Sequence, residues 1–287
     1  MTRRALVFGA TGAIGRPLLE RLLAAGWHVD ALSRSPQPAA PGLRWYQGGF
    51  QELPALPDRV EAIFSCGPLD HFARWYAAST IEAARVVAFG STSDATKADA
   101  ADPGERELAG RLREASERLF STARARGAGA TLLRPTLIYG AGSDRNLGRI
   151  VALARRSGVF VLPSDADGRR QPVHADDLGQ AAFAAVDAPS AVGQAFALPG
   201  GETLAYREMV ARTLAVLTPA PRLLTVPGPL FALVLRAAHA TGRLHGLPPG
   251  AVARMREDLV FDAAPARSAF GYAPRPFQPD AAMFPPA

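Results

Sequence analysis

The chain has 287 residues, of which 48% are hydrophobic and 20% charged, with a formal net charge of +6. That is an ordinary globular composition with ample length for a sizeable core, and it excludes a disordered, collagenous or disulfide-framework protein. The single cysteine, Cys66, fits a reducing compartment, so a cytoplasmic location is expected. The basic residues are almost all arginine and are scattered rather than run together, and no nucleic-acid recognition module is present, so no nucleic acid is expected as a partner.

In chain order, MTRRALVFGATG is a poor signal peptide and a better first strand, because only a short apolar run, residues 5–8, precedes the glycines. A helix is expected over 16–25, with Leu18, Leu19, Leu22 and Leu23 at helical spacing, and Gly26 stops it. A second strand follows at 27–32, and further strand signals lie at 62–65, 85–89 and 131–133. A long charged helix fills 105–125, its apolar stripe being Leu108, Leu112, Ala115 and Leu119. After Pro135 come a Gly-rich loop at 139–146, short extended pieces at 172–177 and 195–198, and a helix at 178–186. Beyond Gly200 the chain is rich in Pro and Ala. Alternating β and α implies an α/β chain with a Rossmann-type, doubly wound parallel sheet. The expected division is a core over 1–145, to which 170–200 returns, and a smaller C-terminal lobe from 146–169 and 201–287. The longest apolar stretch, near 230–235, is far short of the ~18–20 residues of a membrane span.

Gly9, Gly12 and Gly15 are spaced G-x-x-G-x-x-G, after a predicted strand and opening a predicted helix. In that context glycines allow a tight turn, let backbone N–H groups approach a pyrophosphate, and leave the helix N-terminus facing it. The second strand ends Ser33-Arg34. An NAD site commonly carries Asp or Glu here, whereas an arginine suits the 2′-phosphate, so NADP is preferred and NAD remains an alternative. Asp30 lies too early on the strand for that role.

With GATGAIG, "RPTLIYG" at 134–140, "QPVHADDLGQA" at 171–181, "ALPGGETLAYREMV" at 197–210 and "DLVFDAAPARSAFGYAPRPF" at 258–277, the chain resembles the short-chain dehydrogenase/reductase superfamily. The likeness is to its extended and atypical branch of NAD-dependent epimerase/dehydratase-like proteins. It implies cofactor contacts from Gly9, Thr11, Gly12, Ala13, Ile14, Ser33 and Arg34. Gly67, Pro68, Gly90, Pro135, Thr136 and Leu137 are implied further along the cleft. In many relatives an acidic residue after the third strand contacts adenine; Gly49 stands there in this chain. The segment before "VVAFGSTS" is short, which removes part of the family's usual dimer helix and leaves monomer and homodimer both open.

Relatives that transfer hydride use Ser/Thr, Tyr and Lys, the Lys four residues after the Tyr on one helix face. "FGSTS" matches the hydroxyl segment, and Thr92 is nearest that role, with Ser91 and Ser93 as rivals. No tyrosine here has a lysine four residues on. Alignment on Glu117 puts Ala109 in the Tyr place and Arg113 in the Lys place. Arg113 can bond ribose hydroxyls but is no acid–base group. The one lysine, Lys97, is expected in a solvated loop. His174 is the substitute acid, set against a structural histidine at the lobe junction; His71 and Tyr139 are weaker substitutes. Asp176 and Asp177 are expected to cap the next helix. No metal-ligand cluster is present, so no metal is expected.

Two functions follow. One is an NADP(H)-dependent reductase or epimerase-like oxidoreductase acting on a carbonyl or sugar-nucleotide substrate. The other is a non-catalytic dinucleotide-binding redox sensor or complex-stabilising subunit, similar to the accessory subunit of respiratory complex I built on the same fold. An amphipathic helix at 227–244 would serve the second as a surface for a membrane or partner, or the first as a pocket cover.

Overall fold

A computed structural model describes residues 3–50, 52–98, 100, 102–140, 147–233 and 253–284. Seven parallel strands form the central sheet. In chain order they are β1 (Arg4–Phe8), β2 (His28–Ser33), β3 (Leu43–Gln47), β4 (Arg59–Ser65), β5 (Glu82–Phe89), β6 (Gly129–Pro135) and, later, β11 (Gln194–Leu198). Their spatial order is β11-β6-β5-β4-β1-β2-β3. The order reverses between β1 and β4. In such sheets ligands enter the crevice beyond the carboxyl ends of the strands at that reversal.

Two apolar layers cover the sheet, because strands buried on both faces must be sandwiched. On one face, Leu18 and Leu22 of α1 (Gly15–Ala24) and Leu178 and Ala182 of α6 (Ala175–Val186) pack on Val7, Ala31, Phe64 and Val87. α1 and α6 touch so closely that a Cβ on Gly179 would lie 2.9 Å from the Leu18 nitrogen. On the other face, Phe72 and Tyr76 of α2 (Leu69–Ala78) and Leu119 of α4 (Pro103–Ala125) pack on Leu6, Ile63 and Val86. A short α3 (Ser93–Thr96) joins β5 to α4. Asp102 caps α4 by accepting from the Glu105 N–H at 3.0 Å, so the helix starts at Pro103, two residues before the expected start. The buried face of α4 is Ala109, Ala115, Ser116, Leu119 and Ala123, with the expected Leu108 and Leu112 only half-buried.

A third apolar cluster builds the smaller lobe from α5 (Leu147–Ser157), β8 (Val159–Pro163) and α7 (Tyr206–Ala215), with Phe277 and Phe284. In it, β8 pairs in parallel with β13 (Arg222–Val226), a contact across some sixty residues that no local pattern announced. Four further two-residue strands form two pairs: β7 (Ile138–Tyr139) with β10 (Val173–His174), and β9 (Arg169–Arg170) with β12 (Leu204–Ala205). The chain then returns to the core: Ala266 of α8 (Ala264–Phe270) and Tyr272 are buried against the α1/α6 layer. The lobe therefore does not hold all of 201–287. Most of the helix expected at 227–244, and the loop at 141–146, lie outside the described residues. Among the described residues no helix is long and apolar enough to cross a membrane.

Candidate functional site

The glycine turn sits at the reversal point. Gly9 has φ +72°, a left-handed backbone that a side chain strains. A Cβ there would also lie 3.0 Å from the Cys66 carbonyl carbon at the end of β4. Gly15 lets α1 meet the turn: a Cβ on it would sit 2.1 Å from the Gly9 oxygen. Gly12 differs, being exposed, and an added Cβ would meet only the Gly9 oxygen, at 3.1 Å. The first helical bond runs from the Arg16 N–H to the Gly12 oxygen. No side chain caps the helix start, and no acidic residue lies in its first turn. An uncapped helix N-terminus beside a bare glycine is a fitting seat for an anion. Thr11, Ala13 and Ile14 form the rest of this turn, Ile14 being buried.

At the end of β2, Ser33 is buried and its hydroxyl bonds the Ser35 carbonyl at 2.6 Å. Arg34 is exposed, and its methylene stem lies 3.6 Å from where a Gly49 side chain would begin. Asp30 points away from the cleft side as expected, buried and paired with Arg4 at 2.5 Å. Beyond β4, Gly67 and Pro68 lead into α2, with Pro68 as its N-cap residue.

At the other end of the cleft, beyond β5 and β6, polar groups are largely committed to the fold. The Gly90 N–H donates to the Leu133 carbonyl at 2.8 Å. Thr92 is 9% exposed, and both its N–H and its hydroxyl donate to the Pro135 carbonyl at 3.3 Å. The leading hydroxyl candidate is thus turned inward, and the half-buried Ser91 and Ser93, bonded to each other at 3.0 Å, are the more available pair. The Thr136 hydroxyl donates to the Gln171 carbonyl, and the Leu137 carbonyl accepts from the Val173 N–H at 2.8 Å. On α4, Ala109 is fully buried and Arg113 exposed. Lys97 corrects the expectation of a solvated loop: it closes α3 and pairs with Glu105 at 3.4 Å, and Glu105 also holds Arg254 of the lobe. A group that motif reading missed is Asp94, 7% exposed, with one carboxylate oxygen 3.1 Å from Arg134 and the other without a partner. No spacing rule signals it, because its partner lies on β6.

His174 proves to be the N-cap of α6, its Nδ1 accepting from the Asp176 N–H at 3.1 Å. Burial first, then the Arg275 charge, hold it below the usual imidazole range, so the ring is a neutral acceptor. It also lies edge-on to Tyr139, at 5.1 Å between ring centroids. Asp176 and Asp177 are not caps, because the helix starts at Ala175. They bind cations instead: Asp176 takes Arg21 at 2.7 Å and Arg275 at 2.5 Å, and Asp177 takes Arg275 at 2.7 Å. Tyr139 is buried, donating to the Pro276 carbonyl at 3.2 Å, and His71 is exposed beside Phe50. Among the described residues no cluster of His, Cys, Asp or Glu can hold a metal ion.

No family model matches the chain, and no curated protein matches it. Solved structures do share its fold. The epimerase Mth375 from Methanothermobacter thermautotrophicus superposes with TM-score 0.69 at 16% identity, over 96% of this chain and 88% of that one. UDP-glucuronic acid 4-epimerase from Bacillus cereus, in complex with UDP-glucuronic acid and NAD, gives 0.66 at 11% identity, over 94% of each. PA4631, a nucleoside-diphosphate-sugar epimerase from Pseudomonas aeruginosa, gives 0.65 at 19% identity, over 99% and 94%. The fold is therefore that of the NAD-dependent epimerases and dehydratases, carried here by a sequence far from theirs. The bare Gly12 and the uncapped start of α1 fit a dinucleotide's pyrophosphate.

Proposed function

We propose that the chain is an NADP(H)-binding oxidoreductase, a reductase or epimerase-like enzyme acting on a carbonyl or sugar-nucleotide substrate. The observation that carries this is the division of labour among the three glycines: two are filled by close backbone approach, and the third, Gly12, is exposed before an uncapped helix. Gly12, Ala13 and Ile14 hold the pyrophosphate, and Arg34 meets the 2′-phosphate. Gly67 and Pro68 border the adenosine half, and Gly90, Pro135, Thr136 and Leu137 the nicotinamide half. A nicotinamide held there would supply hydride transfer to or from the substrate carbon. Ser91 and Ser93 bond the substrate oxygen, and Arg113 reaches the ribose from α4. Calorimetric titration with NADP and NAD, followed by NADPH oxidation over a panel of carbonyl and sugar-nucleotide substrates, tests the reading. Tighter NAD than NADP binding sinks the cofactor preference, and no dinucleotide binding sinks the whole.

A specific observation favours a second reading, that of a dinucleotide sensor without turnover. Ala109 is fully buried at the expected tyrosine place and the Thr92 hydroxyl is spent on Pro135. Tight NADPH binding with no turnover across the panel supports that reading over the first.

A further inference from the structure

Contacts of different chemical kinds join the smaller lobe to the core. At Gln171, which is 9% exposed, they are neutral. Its carbonyl accepts from the Thr136 hydroxyl and from the Gly200 N–H at 3.1 Å, and its side-chain oxygen accepts from the Phe261 N–H at 2.7 Å. At Arg275, ion pairs to Asp176 and Asp177 are backed by main-chain groups: its own N–H donates to Asp177 at 2.9 Å and its carbonyl accepts from the Gly201 N–H at 3.1 Å. At Glu105, in the first turn of α4, the joint is made by side-chain charge. One carboxylate takes both Lys97, at 3.4 Å, and Arg254 of the lobe, and none of the three side chains is more than 25% exposed. Among the described residues no main-chain hydrogen bond joins α3 or α4 to residues 253–259.

Each side of this joint is stiff. On the lobe side the buried Arg170 donates to the Arg254 carbonyl and, at 2.6 Å, to the Glu257 carbonyl. The Gly168 N–H donates to the Met255 carbonyl at 3.0 Å, the Leu259 N–H to the Arg169 carbonyl at 2.9 Å, and Arg256 pairs with Asp165 at 2.7 Å. Residues 165–170 and 253–259 therefore form one piece. On the core side the Lys97 N–H donates to the Ser93 carbonyl at 3.1 Å, which closes α3, the short helix that begins at Ser93. A line of bonds thus runs from the lobe through Arg254, Glu105 and Lys97 to the helix that carries one of the paired hydroxyls. One anion in it holds two cations. Without that anion Lys97 and Arg254 repel each other, and Asp102, the nearest acid in sequence, is occupied with the α4 cap. Salt at about 1 M, where charges are felt over only ~3 Å, weakens such a joint and leaves neutral hydrogen bonds intact.

We infer that Glu105 is a positioning residue, an ionic clasp that holds the lobe closed over the Ser91–Ser93 end of the cleft, so that closure there responds to salt while the neutral joint at Gln171 does not. The inference concerns the free protein and needs no dinucleotide. Hydrogen exchange read by mass spectrometry tests it on the whole chain. In the wild type, amides of 93–97 and 253–257 should exchange about fivefold faster in about 1 M than in about 20 mM sodium chloride, with the central strands unchanged. Glu105→Gln keeps a residue suited to the third helical position and should exchange fast at both segments already in low salt, with no further response to salt. Arg254→Gln, on the lobe side, should reproduce that pattern, and the double variant should add nothing to either. Glu107→Gln, which removes an exposed α4 carboxylate paired with Arg111, should behave as wild type. If Glu105→Gln keeps the wild-type exchange and salt response, the clasp is overturned. It is overturned equally if the variant speeds 93–97 alone, because Glu105 then steadies only its own helices. If the exchange pattern is as expected but NADP and NAD fail to bind, the proposed function falls and the clasp stands.

Discussion

At the β1 end of the cleft Gly12 is exposed and no side chain caps α1; at the β5–β6 end the Thr92 hydroxyl, the Thr136 hydroxyl and the Gly90 N–H are each bonded to a backbone carbonyl of the same fold. Both ends lie on one sheet edge and are built by the same alternation of strand and helix. An end whose polar groups are unspent is arranged to receive a ligand; an end whose groups are satisfied internally has less to offer a transition state. At the β5–β6 end the half-buried Ser91–Ser93 pair and the unpartnered oxygen of Asp94 are polar groups not bonded to a backbone carbonyl.

The largest expected effect separates packing from binding within the glycine turn. Gly15→Val would drive a side chain into the Gly9 and Ala10 backbone, which cannot yield, so a loss of roughly 3 kcal/mol or more is expected, lowering Tm by about 6 °C or more. A thermal scan checks it, and an unchanged Tm would mean that α1 does not approach β1 as described. Gly12→Val, whose Cβ meets only the Gly9 oxygen at 3.1 Å, should lower Tm far less than Gly15→Val yet weaken NADP at least 100-fold, or about 2.7 kcal/mol, because its side chain enters the pyrophosphate seat. Native circular dichroism with undiminished binding would erase the contrast between the two ends.

Next in size is Arg34→Ala. A charge-assisted contact to the 2′-phosphate is worth roughly 1.5–3 kcal/mol, so NADP affinity should fall tenfold or more while NAD affinity changes less than about threefold. Equal losses for both cofactors would show Arg34 to be an ordinary solvated arginine.

The smallest effect concerns His174 at the committed end. Loss of its cap in His174→Ala should cost about 1 kcal/mol, whereas His174→Asn, which can also cap, should be near neutral. The pH dependence has a definite sign. Burial and Arg275 disfavour the charged ring, so the folded state binds a proton less readily than the unfolded one. The stability contribution is complete above the ordinary histidine value of about 6.5 and is lost as pH falls below it, through the lower value of the folded state. Urea midpoints at pH 7.5 and 5.5 should therefore differ more for wild type than for His174→Asn. If His174→Asn keeps its stability but loses all turnover, the ring is a catalytic acid after all.

Local signals made the first half of the cleft legible. Gly9, Gly12 and Gly15 act through backbone that is contiguous in sequence, and the strand before them and helix after them carry their own apolar periods. The committed end was less legible because each group's partner lies on another element. Thr92 and Pro135 are joined across β5 and β6, Asp94 and Arg134 across α3 and β6, and Lys97, Glu105 and Arg254 across core and lobe. The same limit explains the Asp176–Asp177 expectation. Aspartates beside a helix start read as caps, but the strand pairing of Val173 and His174 with Ile138 and Tyr139 starts the helix at Ala175 and hands the cap to His174. The α4 stripe was misread by about one residue, since Ala109 and Ser116 bury more fully than their larger neighbours where helix and sheet approach.

Cys66 touches the glycine turn through its backbone, and burial pushes its thiol up to about 12. The thiol form is therefore favoured at neutral pH, so the half-buried sulfur should react slowly with alkylating agents. As the chain's sole sulfhydryl, it can serve as a clock: its rate of reaction with iodoacetamide would read how closely the glycine turn and the end of β4 cover it. A dinucleotide seated on Gly12 should slow that clock further, giving a label-free measure of occupancy that needs no substrate.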